Sequence, residues 1–221
     1  MLFRSTEFDA SAFSAGGPRH RDIPASLAGY FLISDTELVD PNFYRTVVLL
    51  IHHDDEGAFG LVVNRRSEVN LSSVLPGFES HEAGNVPIFV GGPVQQEYFF
   101  ALHGGFPRSL QRAEGKIPPA QLATEGVYFE PVTEPMVDYL LGHWDELAPD
   151  DKPYLHMFAG YSGWGAGQLE DEIREGAWVL VPAQADVVFK SDPDKAWQDA
   201  LAAKGELYKI IATTGFKPSL N

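Results

Sequence analysis

The sequence contains no cysteine and few basic side chains. Without cysteine the chain has no disulfide, thiolate nucleophile, cysteine–zinc site or iron–sulfur cluster, which fits a reducing compartment. Its 16 Lys and Arg residues stand against 31 Asp and Glu residues, giving a formal net charge of −15. Nucleic-acid binding draws most of its affinity from Lys and Arg at phosphates, so direct binding to DNA or RNA is not expected. The acidic surface is either a solvated face or a docking face for a basic partner.

Long hydrophobic runs are also missing. No apolar stretch approaches the ~20 residues of a membrane span, and the N-terminus lacks the apolar core of a signal peptide. We therefore expect a cytoplasmic protein without membrane association. With 221 residues, of which 44% are hydrophobic, the chain is globular. A chain of this size buries on the order of 70% of its unfolded surface.

The chain divides into a short arm and one domain. Residues 1–24 contain Gly16-Gly17-Pro18 and show no regular hydrophobic period, which predicts a flexible N-terminal arm. Residues 25–221 contain no repeat and no linker, so we expect one α+β domain. A hairpin is the clearest local element. Thr46–Ile51 is apolar on both faces, Asp54–Gly57 supplies the turn, and the chain returns through Ala58–Asn64.

Other elements follow from capping and hydrophobic spacing. Strands are predicted at Tyr98–Leu102 and Val127–Phe129, which pair with one another. Val187–Phe189 is predicted to flank a turn after the strand at Trp178–Val181. Ser191 is predicted to cap a helix that continues to Lys204.

The glycine-rich segment Gly160–Glu172 is the most informative feature of the sequence. It places four glycines in eight residues around Tyr161 and Trp164, so the backbone either adopts positive φ or approaches another group closely. We expect it to run from a strand into a helix that carries Gln168 and Glu172 on one face. Free N–H groups at a helix start bind anions. The segment, however, has no Lys or Arg and no phosphate-loop motif, so structural packing and a ligand site both stay open.

Several motifs in a fixed order make the chain resemble the YqgE/AlgH family of largely uncharacterised bacterial proteins. The matching pieces are Leu27–Ile33 with Asp40–Phe43, Gly57–Arg65, Gly91–Val94, and Gly160–Glu172 with Trp178. The family often continues its Asn-Arg pair with Pro, whereas Arg66 stands there in this chain. The resemblance implies a compact α+β fold in which a mixed sheet curls into a pseudo-barrel with peripheral helices. It implies no enzymatic activity. The family is sometimes labelled a group of transcriptional regulators, but that label indicates no mechanism.

Two strand ends are further candidates for binding. Asn64-Arg65 and Gly91-Gly92 each follow a predicted strand, and loops at strand ends bind ligands in many open sheets. An arginine beside glycine-rich loops can hold a carboxylate or a phosphate. The alternative is that Arg65 pairs with a structural acid such as Asp40. The sequence leaves both interpretations open.

Neither a metal site nor a catalytic set is predicted. His52 and His53 are adjacent on a strand and should point to opposite faces, so one metal ion cannot easily take both. Ser162 lacks the spacing of a nucleophile elbow. No cofactor motif is present either.

Two hypotheses of function result. The first is a cytosolic, non-catalytic binding or regulatory protein whose partner is an unidentified protein or small molecule. Its contact surface would include the glycine-rich segment, Asn64-Arg65 and Gly91-Gly92. The second is a hydrolase or transferase for a small anionic substrate, which requires a pocket joining Arg65 and Glu172.

Overall fold

The computed structural model describes residues 23–106 and 120–214, and these ranges form one α+β domain. The strands are β1 (Tyr30–Ser34), β2 (Val47–Asp54), β3 (Gly57–Val62), β4 (Arg66–Asn70), β5 (Pro87–Val90), β6 (Val94–His103), β7 (Gln121–Thr124), β8 (Val127–Pro131), β9 (Leu155–Gly165) and β10 (Trp178–Pro182). The helices are α1 (Glu134–His143), α2 (Gln168–Arg174), α3 (Ala185–Phe189), α4 (Pro193–Ala202) and α5 (Glu206–Thr214). Short 3-10 turns occur at Leu71–Ser73, Glu82–Asn85, Trp144–Glu146 and Pro149–Asp151. Nearly all of the predicted arm lies outside the described residues.

The predicted hairpin forms from β2 and β3. Its strands pair antiparallel from Val48↔Val62 to the tip at Asp54↔Gly57. β2 also pairs with β1. Its apolar residues are buried on both faces, as the sequence indicates, because alternate residues enter two different hydrophobic clusters. Gly57 is required at the tip, because a Cβ there would lie 2.3 Å from the carbonyl oxygen of Trp164 on the neighbouring strand.

The sheet curls so that β7 at one end approaches β10 and β2 near the other. Its main path runs β10-β1-β2-β3-β9-β6-β8-β7, all antiparallel, with β4 and β5 attached to one side. β5 runs parallel to β9, so the sheet is mixed. Thr124 Oγ1 of β7 donates to the carbonyl of Ala183, just beyond β10, at 3.3 Å, and Gln121 Nε2 of β7 donates to that of Ile51 in β2 at 2.9 Å. The predicted fold is therefore confirmed as a mixed sheet curled into a half-barrel.

The helices pack on the curled sheet through apolar stripes. In α4 the stripe of Ala196, Trp197, Ala200 and Leu201 is buried, as its spacing predicts. The indole N–H of Trp197 donates to the carbonyl of Ser34 at 2.9 Å, which fixes α4 against the end of β1. This contact positions the helix beside the loop that leads into β2.

Two local predictions around α4 need correction. Ser191 does not cap the helix; Asp192 does, and its carboxylate accepts from the backbone N–H of Asp194 at 3.1 Å. Pro193 occupies the first helical position, which makes the residue before it the cap. Val187–Phe189 belongs to the short helix α3 rather than to an extended segment. A helical turn satisfies its backbone groups locally where the chain leaves the sheet edge.

Candidate functional site

The glycine-rich segment continues a strand and then turns sharply into a helix. β9 extends to Gly165 instead of ending near Phe158, and α2 begins at Gln168. Gly167 adopts φ 74°, a left-handed conformation that glycine reaches without steric cost. The predicted strand-to-helix junction is confirmed, and most of its glycines lie within the strand.

The glycine pair at the end of β5 lies against this strand. A Cβ on Gly91 would lie 2.3 Å from the carbonyl oxygen of Gly160, and one on Gly92 would lie 2.2 Å from the carbonyl carbon of Tyr161. Gly160 itself has φ 70°, and a Cβ there would lie 2.8 Å from two backbone oxygens, those of Gly92 and Val94. Main chain thus fills the space beside Gly91, Gly92 and Gly160, so close packing accounts for these three glycines.

Two candidate side chains, those of Trp164 and Gln168, converge with Trp178 on the carboxylate of Glu172. The indole N–H groups of Trp164 and Trp178 donate to Oε2 at 2.9 and 2.8 Å. The Gln168 amide donates to Oε1 at 3.0 Å, and its own Oε1 accepts from the backbone N–H of Gly165 at 3.1 Å. We call Glu172, Trp164, Trp178 and Gln168 the tryptophan node. It ties β9, α2 and β10 together.

Aromatic rings close the tryptophan node. Phe43 stacks on Trp164 at 6.1 Å between centroids and meets Trp178 edge-on at 5.4 Å. Both tryptophans are buried. Tyr161 lies three residues before Trp164 and therefore faces the other side of β9, where its ring packs against Phe59 at 4.9 Å.

Arg65 lies just beyond β3 and is bonded to backbone carbonyls. Its Nη2 donates to the carbonyl oxygen of Pro41 at 2.7 Å and, over a longer distance, to that of Tyr44 at 3.5 Å. Burial lowers the pKa of the Arg65 guanidinium from its ordinary value, and the nearby charge of Asp40 partly opposes that shift. Asp40 therefore acts on Arg65 electrostatically, while the hydrogen bonds go to the main chain.

A cleft of about 220 Å³ opens between the end of β3 and the start of α4. We call it the arginine cleft. Its lining residues are Arg45, Asn64, Arg65, Pro193, Asp194, Trp197 and Gln198. The predicted pair Asn64-Arg65 lies here. Of the other predicted residues, Gly91 and Gly92 pack against the main chain of β9, Tyr161 packs against Phe59, and the rest belong to the tryptophan node.

Arg45 is held in the arginine cleft by its neighbours. Its φ is 52°, a left-handed value that is uncommon outside glycine and often marks a constrained functional position. Asn64 secures this conformation, because its Nδ2 donates to the Arg45 carbonyl at 3.0 Å while its Oδ1 accepts from the N–H of Val47 at 2.8 Å. The Arg45 guanidinium lies 5.3 Å from the centroid of the Trp197 ring, within cation–π range.

Sequence reasoning missed Arg45 and the α4 residues of the arginine cleft. Nothing in the sequence brings α4 to the end of β3, since that contact arises only when the sheet curls. Asp192-Pro193 was a readable signal for where α4 begins, and therefore for Asp194 in its first turn.

The two adjacent histidines point to opposite faces, as expected. His52 is exposed and contacts Asp54 Oδ2 at 2.7 Å. His53 is buried; its Nδ1 accepts from the N–H of Leu27 at 3.1 Å and its Nε2 lies 3.0 Å from Glu170 Oε1. In the described ranges, no group of three or more His, Cys, Asp or Glu side chains is arranged to hold a metal ion.

A comparison with known protein families agrees with the resemblance seen in the motifs. Residues 31–209 match a family model described as AlgH-like. The chain belongs to the AlgH-like family. UPF0301 proteins of Thermobifida fusca and Thioalkalivibrio sulfidiphilus are similar to it, at 36% and 34% identity over 204 and 194 residues. These matches cover 89% and 85% of this chain and 96% and 95% of the two relatives.

Two solved structures share the fold. The solution structure of the AlgH protein from Pseudomonas aeruginosa matches with a TM-score of 0.63 and 28% identity, over 90% of this chain and 99% of that one. A crystal structure of a protein from Corynebacterium diphtheriae matches with a TM-score of 0.65 at 21% identity, over 87% and 93%. Within residues 23–106 and 120–214, no helix has the length and apolar character that a membrane crossing demands.

Proposed function

We propose that this AlgH-like protein is a cytosolic, non-catalytic binding protein with a regulatory role, and that its arginine cleft binds an anionic ligand. One observation carries the proposal. Two guanidiniums line a single cleft, and within the described part of the chain neither forms a salt bridge, although the net charge is −15. Arg45 is exposed and Arg65 is partly buried. A guanidinium gains most from a carboxylate or phosphate that it binds with paired hydrogen bonds.

The arginine cleft is already organised for binding. Asn64 and Trp197 fix Arg45, and the Pro41 carbonyl fixes Arg65. The hydrogen bonds of Arg65 to the described chain use Nη2, which leaves its other donors for a ligand. Because these side chains are ordered beforehand, the protein loses less side-chain entropy when a ligand binds.

The enzymatic alternative lacks its required geometry. It needs one pocket shared by Arg65 and Glu172, but Glu172 does not line the arginine cleft. Both carboxylate oxygens of Glu172 already accept hydrogen bonds in the tryptophan node. A regulatory role would then act through a small-molecule or protein partner. Direct contact with DNA is disfavoured by the net charge of −15.

Thermal unfolding in inorganic phosphate tests the proposal. A ligand that binds only the folded state raises the melting temperature as its concentration increases. At constant ionic strength we expect phosphate to raise the Tm of the wild type, and expect Arg45→Gln and Arg65→Gln to lose most of that rise. Arg66→Gln is the matched control, because it removes the same charge one residue outside the arginine cleft. Equal responses of Arg45→Gln and Arg66→Gln would overturn the proposal.

A further inference from the structure

We infer that the ligand of the arginine cleft is a compact molecule with two negative charges and one ammonium group. This inference rests on the proposed function and names the chemical class of its ligand. It follows from the arrangement of charge in the cleft, from its size and from the way its one aromatic wall is covered.

The charged lining of the arginine cleft consists of two cations and one anion. Arg45 and Arg65 supply the positive charges, and Asp194 supplies the negative charge. A simple dianion would satisfy both arginines but would also face the Asp194 carboxylate. A ligand with two negative charges and one positive charge has the complementary set, and its ammonium group turns that repulsion into attraction.

The Asp194 carboxylate is available for an ammonium group. Asp194 lies in the first turn of α4, where an acidic side chain often caps the helix. Here Asp192 performs that role, and only the backbone N–H of Asp194 takes part. Within the described part of the chain, no hydrogen bond or salt bridge engages the Asp194 side chain. Gln198 lies one helical turn further on and also lines the cleft, so an acceptor oxygen from its amide stands on the same face.

The arginine cleft has the size for a small ligand. Its volume of about 220 Å³ is smaller than the roughly 300–1,000 Å³ typical of sites for drug-sized molecules. Trp197 is the one aromatic residue of the lining, and the guanidinium of Arg45 lies over its ring at 5.3 Å. An aromatic base therefore has no free ring to stack on, which excludes a nucleotide on both grounds.

Two sources supply this chemistry: acidic amino acids and small phosphate esters of amino alcohols. Calorimetric titration of two matched pairs separates them. Glutamate is compared with glutarate, and ethanolamine phosphate with ethyl phosphate, so that each pair differs in the ammonium group. We expect the ammonium-bearing member of at least one pair to bind about fivefold more tightly, the upper range for an exposed ion pair. The pair with that preference identifies the source.

The variant Asp194→Asn tests whether the Asp194 carboxylate causes the preference for the ammonium-bearing compound. We expect this variant to bind the two members of the pair equally, with binding of the member that lacks ammonium retained or improved. Asp199→Asn is the matched control, since it makes the same change on α4 outside the arginine cleft, and it should keep the wild-type preference.

The outcomes separate this inference from the proposed function. If glutarate or ethyl phosphate binds and the ammonium group brings no advantage, the inference is overturned while anion binding stands. An advantage that survives in Asp194→Asn overturns it equally. If none of the four compounds binds and phosphate leaves the Tm unchanged, the proposed function fails as well.

Discussion

Trp164 and Trp178 donate their indole N–H groups to the same oxygen, Oε2 of Glu172, at 2.9 and 2.8 Å. One carboxylate thus satisfies two buried donors that come from different strands. A side chain placed in this way holds structure together, and its removal leaves polar groups without partners inside an aromatic cluster.

Glu172→Ala is expected to lower the free energy of unfolding by about 3 kcal/mol, because two buried indole N–H groups lose their acceptor at ~1–3 kcal/mol each. Urea denaturation of the purified variant measures the change. Glu175→Ala is the control, because Glu175 is exposed on the next turn and its loss should cost less than about 0.5 kcal/mol. Similar stabilities for the two variants would show that the shared acceptor contributes nothing.

Trp164→Phe separates the tryptophan node from the arginine cleft. The substitution keeps a ring beside Phe43 but deletes the hydrogen bond to Glu172, so we expect a loss of about 1–2 kcal/mol in stability. The Tm increase caused by phosphate should equal that of the wild type. A folded Trp164→Phe protein that no longer responds to phosphate would place the glycine-rich segment in the ligand site.

Gly92→Ala is expected to prevent stable folding or to cost more than about 3 kcal/mol. The new methyl group would lie 2.2 Å from backbone atoms of Tyr161, and main chain cannot move aside as a flexible side chain does. Gly165→Ala belongs to the same glycine-rich region, yet a Cβ there meets nothing within 4 Å. Its unfolding free energy should stay within about 0.5 kcal/mol of the wild type, and comparable losses at both positions would contradict the close-contact explanation.

His156 makes the stability depend on pH. Burial, aided by the charge of Arg66, lowers its pKa from 6.5 to about 4. Between these pH values the unfolded chain binds a proton that the folded chain does not. Stability is therefore complete above pH 6.5 and falls as the pH approaches 4. The full shift corresponds to a loss on the order of 3 kcal/mol.

The variant His156→Phe isolates this contribution from that of the carboxylates. Phenylalanine keeps the ring beside Phe89, which stacks on His156 at 4.6 Å, but it cannot titrate. Urea denaturation at pH 4.5 and pH 7 should show a smaller acid loss in this variant than in the wild type. The exposed His52→Gln variant should keep the wild-type difference. If His156→Phe keeps it too, the stated role of His156 is wrong.

Much of the fold was readable from local patterns. The hairpin of β2 and β3 follows from an apolar run, a turn and a return strand, and the pairing of β6 with β8 follows from two short apolar runs. The hairpin depends on residues that are neighbours in sequence. The burial of a strand can be read from its run of apolar residues. The α4 cap was misplaced by one residue, because serine and aspartate both cap helices and the following proline decides between them.

The candidate sites, like the fold, could be predicted only in part from local patterns. Asn64 and Arg65 could be selected because they lie at a strand end, but the contribution of Arg45 and Asp194 depends on curling that brings α4 to that end. Likewise, Gly91 and Gly160 look like separate loops in sequence. Their role as one backbone contact appears only when β5 and β9 lie side by side.

The position of β9 has a consequence for synthesis of the protein. This strand pairs with β3, β5 and β6, and the register Gly57↔Gly165 joins residues far apart in the chain. Once β3, β5 and β6 have been translated, the growing chain therefore exposes strand edges whose partner, β9, has not yet been made. Such long-range pairing slows folding and leaves a growing chain open to aggregation. Chaperone demand should accordingly fall once β9 emerges from the ribosomal exit tunnel, and end once β10 follows and pairs with β1.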